Sequence, residues 1–376
     1  MRILFSTTRG GGHLGPLIPL ARACVRAGQE VRVAAPASLA GAIGRAGLRH
    51  SPVGAAPARE IDAAFAPVWA RRASAAHVIG DLFAGMHARA ALPDMLELVE
   101  GWRPDVVVRE TMEFASSLAA ERYGVPQVRV GVHLQAAVDG NAGPLALAAQ
   151  PLGALRPRAG LDPDPELRAI CDSPLLTLAP AAMDVPGAPP ARRFRDPEAA
   201  LAGSRNGGPP LVYVAFGSEA PGSQHFPGVY RAALEALAGV DAQVLVAVGD
   251  RRDPAELGPV PANARVERWV PQAEMMRRAA AMVGHGGSGS TLSALAAGVP
   301  QALVPLFVDG PANAARVAEL GAGIALDGPD AVREALAPAV RRLLEEPAYR
   351  AAAREVAAEI AALPPVDDAV AVLQSL

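Results

Sequence analysis

Two glycine turns in this chain carry a histidine each. One reads His285-Gly286-Gly287-Ser288-Gly289-Ser290-Thr291, preceded by Trp269-Val270-Pro271-Gln272 and followed by Gly298-Val299-Pro300, Asp309 and Asn313. An apolar stretch over 280–283 enters it and an amphipathic stretch over 291–297 leaves it, so it reads as strand, tight turn and helix. Small residues let the backbone approach a ligand, and the free N–H groups of a helix's first turn attract an anion. With a histidine and several hydroxyls converging there, the chemistry indicated is capture of a diphosphate. The other turn, Gly10-Gly11-Gly12-His13, ends an apolar run over 3–6. A histidine titrates at about 6.5, which suits removal of a hydroxyl proton at neutral pH. Such a base needs an acid to orient it. Glu110 ends the apolar stretch 105–109 on the same expected sheet edge, and Glu113, one helical turn on, is the rival partner. His133 ends a further strand and could line the same cleft. His50, His77, His87 and His225 have no context that singles them out and read as surface or core.

These turns need elements to hold them. Short β-branched runs at 3–6, 31–35, 105–109 and 127–132 alternate with helical ones, which indicates a parallel sheet. The helix after His13 would carry Leu14, Leu17, Ile18, Ala21 and Val25 on one face, with Gly28 closing it. The stretches 55–93 and 133–168 keep no clear period and are expected as loops and short helices over the carboxyl edge of the sheet. A second series follows: strands at 211–216, 244–248, 265–270, 282–284 and 302–306, with a helix over 230–237. Residues 330–376 read as helical, with a break at Pro364-Pro365. The expected architecture is α/β: two doubly wound Rossmann-like domains facing a central cleft. The first spans 1–190, a linker rich in Pro, Gly and Arg spans 191–209, and the second spans 210–360. Residues 361–376 would cross back onto the first.

Composition narrows the function. A length of 376 residues exceeds one ordinary core. Half the residues are hydrophobic, yet no long apolar run escapes Gly, Pro or charge, so no membrane span is expected. Met1 leads straight into Ile3-Leu4-Phe5 without the pattern of a signal peptide, and the expected location is cytoplasmic. A net charge of −3 gives no basic footprint for nucleic acid. Lysine is absent, which removes any Walker lysine or Schiff base. Of the two cysteines, Cys24 lies on an apolar helical face and reads as core. Asp162-Pro163-Asp164 spells a metal-binding Asp-x-Asp, but in a proline-punctuated segment a turn is expected and no metal is assigned.

The glycines also admit a two-Rossmann oxidoreductase, since Gly284-x-Gly286-x-x-Gly289 and Gly10-x-Gly12-x-x-Gly15 match the dinucleotide fingerprint, with Asp309 downstream. Against it, the strand after the first cluster ends Ala34-Ala35-Pro36 with no acid for a ribose, and the second cluster comes late in its half. Taken together, Trp-x-Pro-Gln, His-Gly-Gly-x-Gly-Ser-Thr, Gly-Val-Pro and Asp-x-x-x-Asn at these spacings resemble the nucleotide-sugar signature of GT-B, family-one glycosyltransferases. The likeness points to the actinobacterial enzymes that decorate natural products, such as the calicheamicin and macrolide glycosyltransferases. It extends to Gly11-Gly12-His13-Leu14 and to Phe216-Gly217-Ser218.

That resemblance implies a set of roles. Trp269 would stack on the pyrimidine, Val270 would read its edge, and Gln272 would join the donor site. His285 and Gly286, Gly287, Ser288, Gly289, Ser290 and Thr291 would hold the diphosphate, with Ser218 nearby and Asp309 and Gly310 toward the sugar. His13 would be the base, Glu110 its partner where the family often has aspartate, and Gly12 and His133 would face the acceptor. The plain alternative makes Trp269 a core residue and His285 a turn residue. Plant members carry glutamate at the position of Ser293 and glutamine at that of Gly310; serine and glycine bind fewer hydroxyls, which favours a dTDP-activated deoxysugar over UDP-glucose. The expected activity is an inverting, metal-independent transfer from a dTDP-sugar to a hydroxyl of a small hydrophobic aglycone, with no cofactor. A UDP-sugar donor, a nucleotide-sugar epimerase on the same scaffold, a non-catalytic ligand-binding relative and a homodimer stay open. The Ala-rich stretch 136–150 suggests the apolar acceptor.

Overall fold

In the first half, seven short parallel strands line up around β1: β1 (Arg2–Ser6), β2 (Glu30–Ala35), β3 (His50–Pro52), β4 (Val106–Glu110), β5 (Gln127–Val130), β6 (Leu175–Thr177) and β7 (Arg192–Arg193). Their order across the sheet is β3-β2-β1-β4-β5-β6-β7. The second half adds β8 (Leu211–Ala215), β9 (Gln243–Ala247), β10 (Ala264–Glu267), β11 (Ala281–Gly284), β12 (Gln301–Leu303) and β13 (Gly323–Ala325), in the order β10-β9-β8-β11-β12-β13. This computed structural model describes residues 1–70, 72–135, 145–199 and 208–376. Most of the acceptor stretch read at 136–150, and residues 200–207 of the expected linker, lie outside the described residues.

Both sheets are covered on both faces, which is why their strands read as near-continuous apolar runs. Ile3 and Phe5 enter one core with Val106 and Val108, while Leu4 and Val107 enter the core on the opposite face. Among the described residues, no helix is long and apolar enough to cross a membrane.

Several elements differ from the sequence reading. The helix after His13 is two pieces, Gly11–Leu14 and Leu17–Arg26, parted at Gly15-Pro16, and Val25 is 46 % exposed, turned away from the buried face. The stretch 55–93 is not loops and short helices: it holds the helix Ala58–Trp69, then an unbroken helical run formed by Ala76–His87 and Ala88–Trp102. Over Ala76–His87 that run is a π-helix. Bonding from i to i+5 shifts the buried positions off the 3.6-residue repeat, so the pattern hides it. The strand read at 265–270 stops at Glu267, leaving Trp269 and Val270 in the following loop. The first sheet runs on to Arg193, three residues past the expected boundary at 190 and inside the stretch read as linker.

The carboxyl-terminal run ties the halves together. In the helix Pro347–Ala362, Val356 and Ile360 share one apolar cluster with Leu134 and Met183 of the first half and Leu295 and Val317 of the second. The chain then breaks at Pro364-Pro365, where Arg195 and Pro365 form a parallel bridge. Val366, Ala369, Val370 and Leu373 finish in the first-half core beside Leu17, Leu20 and Cys24.

Candidate active site

β1 and β4 are parallel neighbours, with Ser6 aligned to Arg109. That register brings Thr8, just past β1, and Glu110, the last residue of β4, together at the carboxyl end of the sheet. Glu110 is fully buried. Its Oε1 accepts from the Thr8 hydroxyl at 2.9 Å and the Thr8 N–H at 3.2 Å, and its Oε2 accepts from the Met112 N–H at 2.6 Å. His13, on the short helical turn after β1, places Nδ1 3.1 Å from Glu110 Oε1. The ring is not aligned for a straight hydrogen bond, so the contact is a close approach that becomes an ion pair when the imidazole is protonated. Burial works to raise the Glu110 carboxyl, but the nearness of His13 and the hydrogen bonds from Met112 and Thr8 hold it below the usual range.

Glu113 is turned elsewhere. Its carboxylate accepts from the N–H groups of Ala115 at 2.8 Å and Ser116 at 3.2 Å and from the Ser116 hydroxyl, capping the helix Ala115–Tyr123. Burial pushes its carboxyl up. The fully buried Arg109 threads behind both acids, donating to the carbonyls of Glu110 at 3.3 Å and Glu113 at 3.0 Å. Burial lowers Arg109 to about 10, with Arg129 adding to the shift.

In the second half β11 runs into His285, and the helix Ser288–Ala296 begins three residues earlier than the sequence pattern indicated. Gly287 is its N-cap and no side chain caps it. The N–H groups of Ser288, Gly289 and Ser290 have no carbonyl within the helix to bond. His285 lies between Gly217 and Gly287, and a Cβ at either would overlap the imidazole. Burial pushes His285 down to about 4, with Asp309 opposing. A neutral imidazole keeps one N–H donor. Asp309 is committed within the protein: its Oδ2 accepts from the Ser288 hydroxyl at 2.6 Å and from Asn313 at 2.9 Å. Asn313 also donates to the Gly286 carbonyl at 2.8 Å, fixing the turn. Gly286 has φ 81°, and Gly310 packs so tightly on the turn that a Cβ there would lie 2.7 Å from the His285 carbonyl. The bare position 310 thus has a packing cause, independent of any sugar.

The remaining expected residues are spread around this centre. Trp269 is 64 % exposed rather than core, and Val270 is half-buried against Met275 and Met276 in their cluster. Gln272 opens the helix Gln272–Arg278. Thr291 is buried, and Ser293 is half-buried on the same helix. Ser218 faces the first half: a Cβ on Gly11 would lie 3.8 Å from its hydroxyl. Gly12 is exposed beside His13, and His133 is half-buried after β5. Asp162 and Asp164 gather around Arg156, Asp162 accepting through its carbonyl and Asp164 lying 3.9 Å away.

One feature escaped the sequence entirely. Phe83 lies tilted against His13 at 47° with centroids 5.0 Å apart, and His87 follows at 5.8 Å from Phe83. Phe65 lies 6.4 Å from His87 and 5.4 Å from Trp69, and Trp69 meets Phe307 at 5.1 Å. Phe307 in turn is 5.9 Å from His285. A continuous row of rings therefore joins His13 to His285 across the halves. No local spacing could reveal it, because its members come from three separate elements.

Two doubly wound sheets with paired histidine turns at their facing edges define a glycosyltransferase of the GT-B class. Family models of the erythromycin biosynthesis protein CIII-like amino-terminal and carboxyl-terminal domains match residues 22–202 and 231–376. The chain belongs to this family of natural-product glycosyltransferases. It is 34 % identical to the elloramycin glycosyltransferase of Streptomyces olivaceus, covering 100 % of this chain and 97 % of the relative. It is 33 % identical to the L-demethylnoviosyl transferase of Streptomyces niveus, covering 97 % and 95 %. The crystal structure of SnogD from Streptomyces nogalater superposes with TM-score 0.77 at 28 % identity, over 100 % of this chain and 99 % of that one.

Proposed function

We propose that the protein is an inverting O-glycosyltransferase that moves a deoxysugar from dTDP to a hydroxyl of a small hydrophobic natural product. The carrying observation is His13, 3.1 Å from a fully buried carboxylate at one edge of the cleft, facing a histidine and an uncapped helix terminus at the other. With Nδ1 toward Glu110, His13 keeps Nε2 to take the acceptor's hydroxyl proton, and Glu110 stabilises the imidazolium that forms. The freed oxygen attacks the anomeric carbon as the diphosphate leaves on the opposite side, so one displacement inverts the centre. The charge growing on the leaving group falls on the N–H groups of Ser288, Gly289 and Ser290 and on His285, so the positive end is built from backbone and no divalent ion is required. The first half takes the acceptor and the second the donor.

The donor assignment has two supports. Glycosyltransferase VinC was crystallised with dTDP, at 26 % identity, TM-score 0.77 and coverage of 100 % and 99 %. Ser293 offers the ribose no carboxylate, which leaves nothing unpaired when the 2′-hydroxyl is missing. Calorimetry with dTDP and UDP, together with a product assay on His13→Ala, tests the reading. dTDP should bind at least as well as UDP, and the variant should keep nucleotide binding while transfer falls ~100-fold or more. Much tighter UDP binding would sink the donor assignment; undiminished transfer would sink the base.

A further inference from the structure

The loop between β12 and the helix Gly310–Glu319 holds two residues that diphosphate capture leaves unused. Val308 has φ 49° and is 54 % exposed. A β-branched side chain in left-handed backbone is strained, and an exposed one gains little packing to offset it. Its two neighbours are both engaged. Asp309 holds Ser288 and Asn313. The ring of Phe307 lies 5.9 Å from that of His285 and meets Trp69 edge-on, at 5.1 Å and 72°.

Trp69 belongs to the first half. It closes the helix Ala58–Trp69 and stacks on Phe65, whose ring lies 5.1 Å from the guanidinium of Arg9, on the segment that leads to His13. Gln224 of the second half donates to the Trp69 carbonyl at 2.9 Å, so the edge contact is pinned at its backbone too. Gly217 and Gly287 give the His285 imidazole room without a side-chain wall. Phe307 supplies one.

We propose that Phe307 is a positioning residue, aimed by the strained backbone of Val308, that ties the orientation of His285 to the packing of the first half through Trp69. This rests on His285 being the diphosphate ligand. Coupling of this kind is reciprocal: loosening the contact across the cleft weakens nucleotide binding in the other half.

The test is a double-mutant cycle on Trp69→Leu and Phe307→Leu, reading dTDP affinity by calorimetry beside the melting temperature. Each change should weaken dTDP by roughly fivefold, the scale of one aromatic pair. The double variant should be no worse than Phe307→Leu alone, and Trp69→Phe should restore parent affinity. Val308→Gly touches neither ring; it should raise the melting temperature and still weaken dTDP by a similar factor. Parent-like affinity in Trp69→Leu, full additivity in the double variant, or Val308→Gly binding dTDP as the parent does would each overturn the coupling. If the parent itself bound no nucleoside diphosphate, the diphosphate reading would fall and the coupling with it; in the other three outcomes only the coupling falls.

Discussion

Two buried acids three residues apart do different work because of what each oxygen meets. Glu110 spends one oxygen on Thr8 and His13 and the other on the Met112 N–H. Glu113 spends both on the start of a helix. Glu110→Gln removes the charge that stabilises the His13 imidazolium and puts an amide where Thr8 and Met112 both donate. Transfer should fall by roughly 100-fold with dTDP affinity unchanged. Glu113 is already pushed toward its neutral form by burial, so an amide is a fair replacement. Glu113→Gln should cost about 1–2 kcal/mol of stability and leave the rate within a few-fold of the parent. Steady-state rates beside melting curves separate the two, and a larger rate loss in Glu113→Gln would reverse the assignment.

At the scale of elements, β11 and the turn and helix that follow it leave the helix without a side-chain cap and the His285 ring without a Cβ at Gly217 or Gly287 against it. Gly287 has φ −65°, so alanine costs its backbone nothing, yet the added Cβ would overlap the His285 ring. Gly287→Ala should therefore displace the imidazole while leaving the fold: about tenfold weaker dTDP binding, from one lost donor, with a melting temperature shifted by only a few degrees. Equal nucleotide affinity would mean that His285 does not touch the diphosphate. The same element explains what was legible beforehand. A glycine turn between an apolar run and a helix announces itself through side chains it lacks, so both histidine turns could be read from residue order. The π-helix Ala76–His87 could not, because its repeat matches no ordinary template. Strands of two or three residues, such as β3, β6, β7 and β13, carry too few positions to show alternation. Phe65, Trp69, Phe83 and Phe307 became a site feature only when the fold brought three elements together, and Gly310 changed meaning once its packing was visible.

The whole molecule is held by a tail that serves both halves in turn. Pro347–Ala362 packs where the halves meet, and after the Pro364-Pro365 break Val366, Val370 and Leu373 complete the core beneath Leu17–Arg26 of the first half. Arg26 and Asp367 add an exposed ion pair at 2.7 Å, which contributes little beside the apolar burial. Burying three such side chains is worth about 1.5–3 kcal/mol each, so ending the chain at Pro365 should remove roughly 5 kcal/mol or more from the first half alone. The loss is local, so cooperativity should break. The parent should melt in one transition and the shortened chain in two, the first half leading. Nucleotide then identifies the parts. At about 100 times its dissociation constant dTDP adds about 2.7 kcal/mol to whatever binds it. In the parent it should raise the single transition as a unit. In the shortened chain it should raise the upper transition more than the lower one, because the turn at His285, proposed to hold the diphosphate, belongs to the half that the tail's last helix does not support. Calorimetric scans with and without dTDP decide this: a single transition in the shortened chain, or a dTDP shift of the lower transition as large as that of the upper, would show that the remaining contacts, Trp69 on Phe307 and the helix Pro347–Ala362 among them, hold the halves together without the last helix.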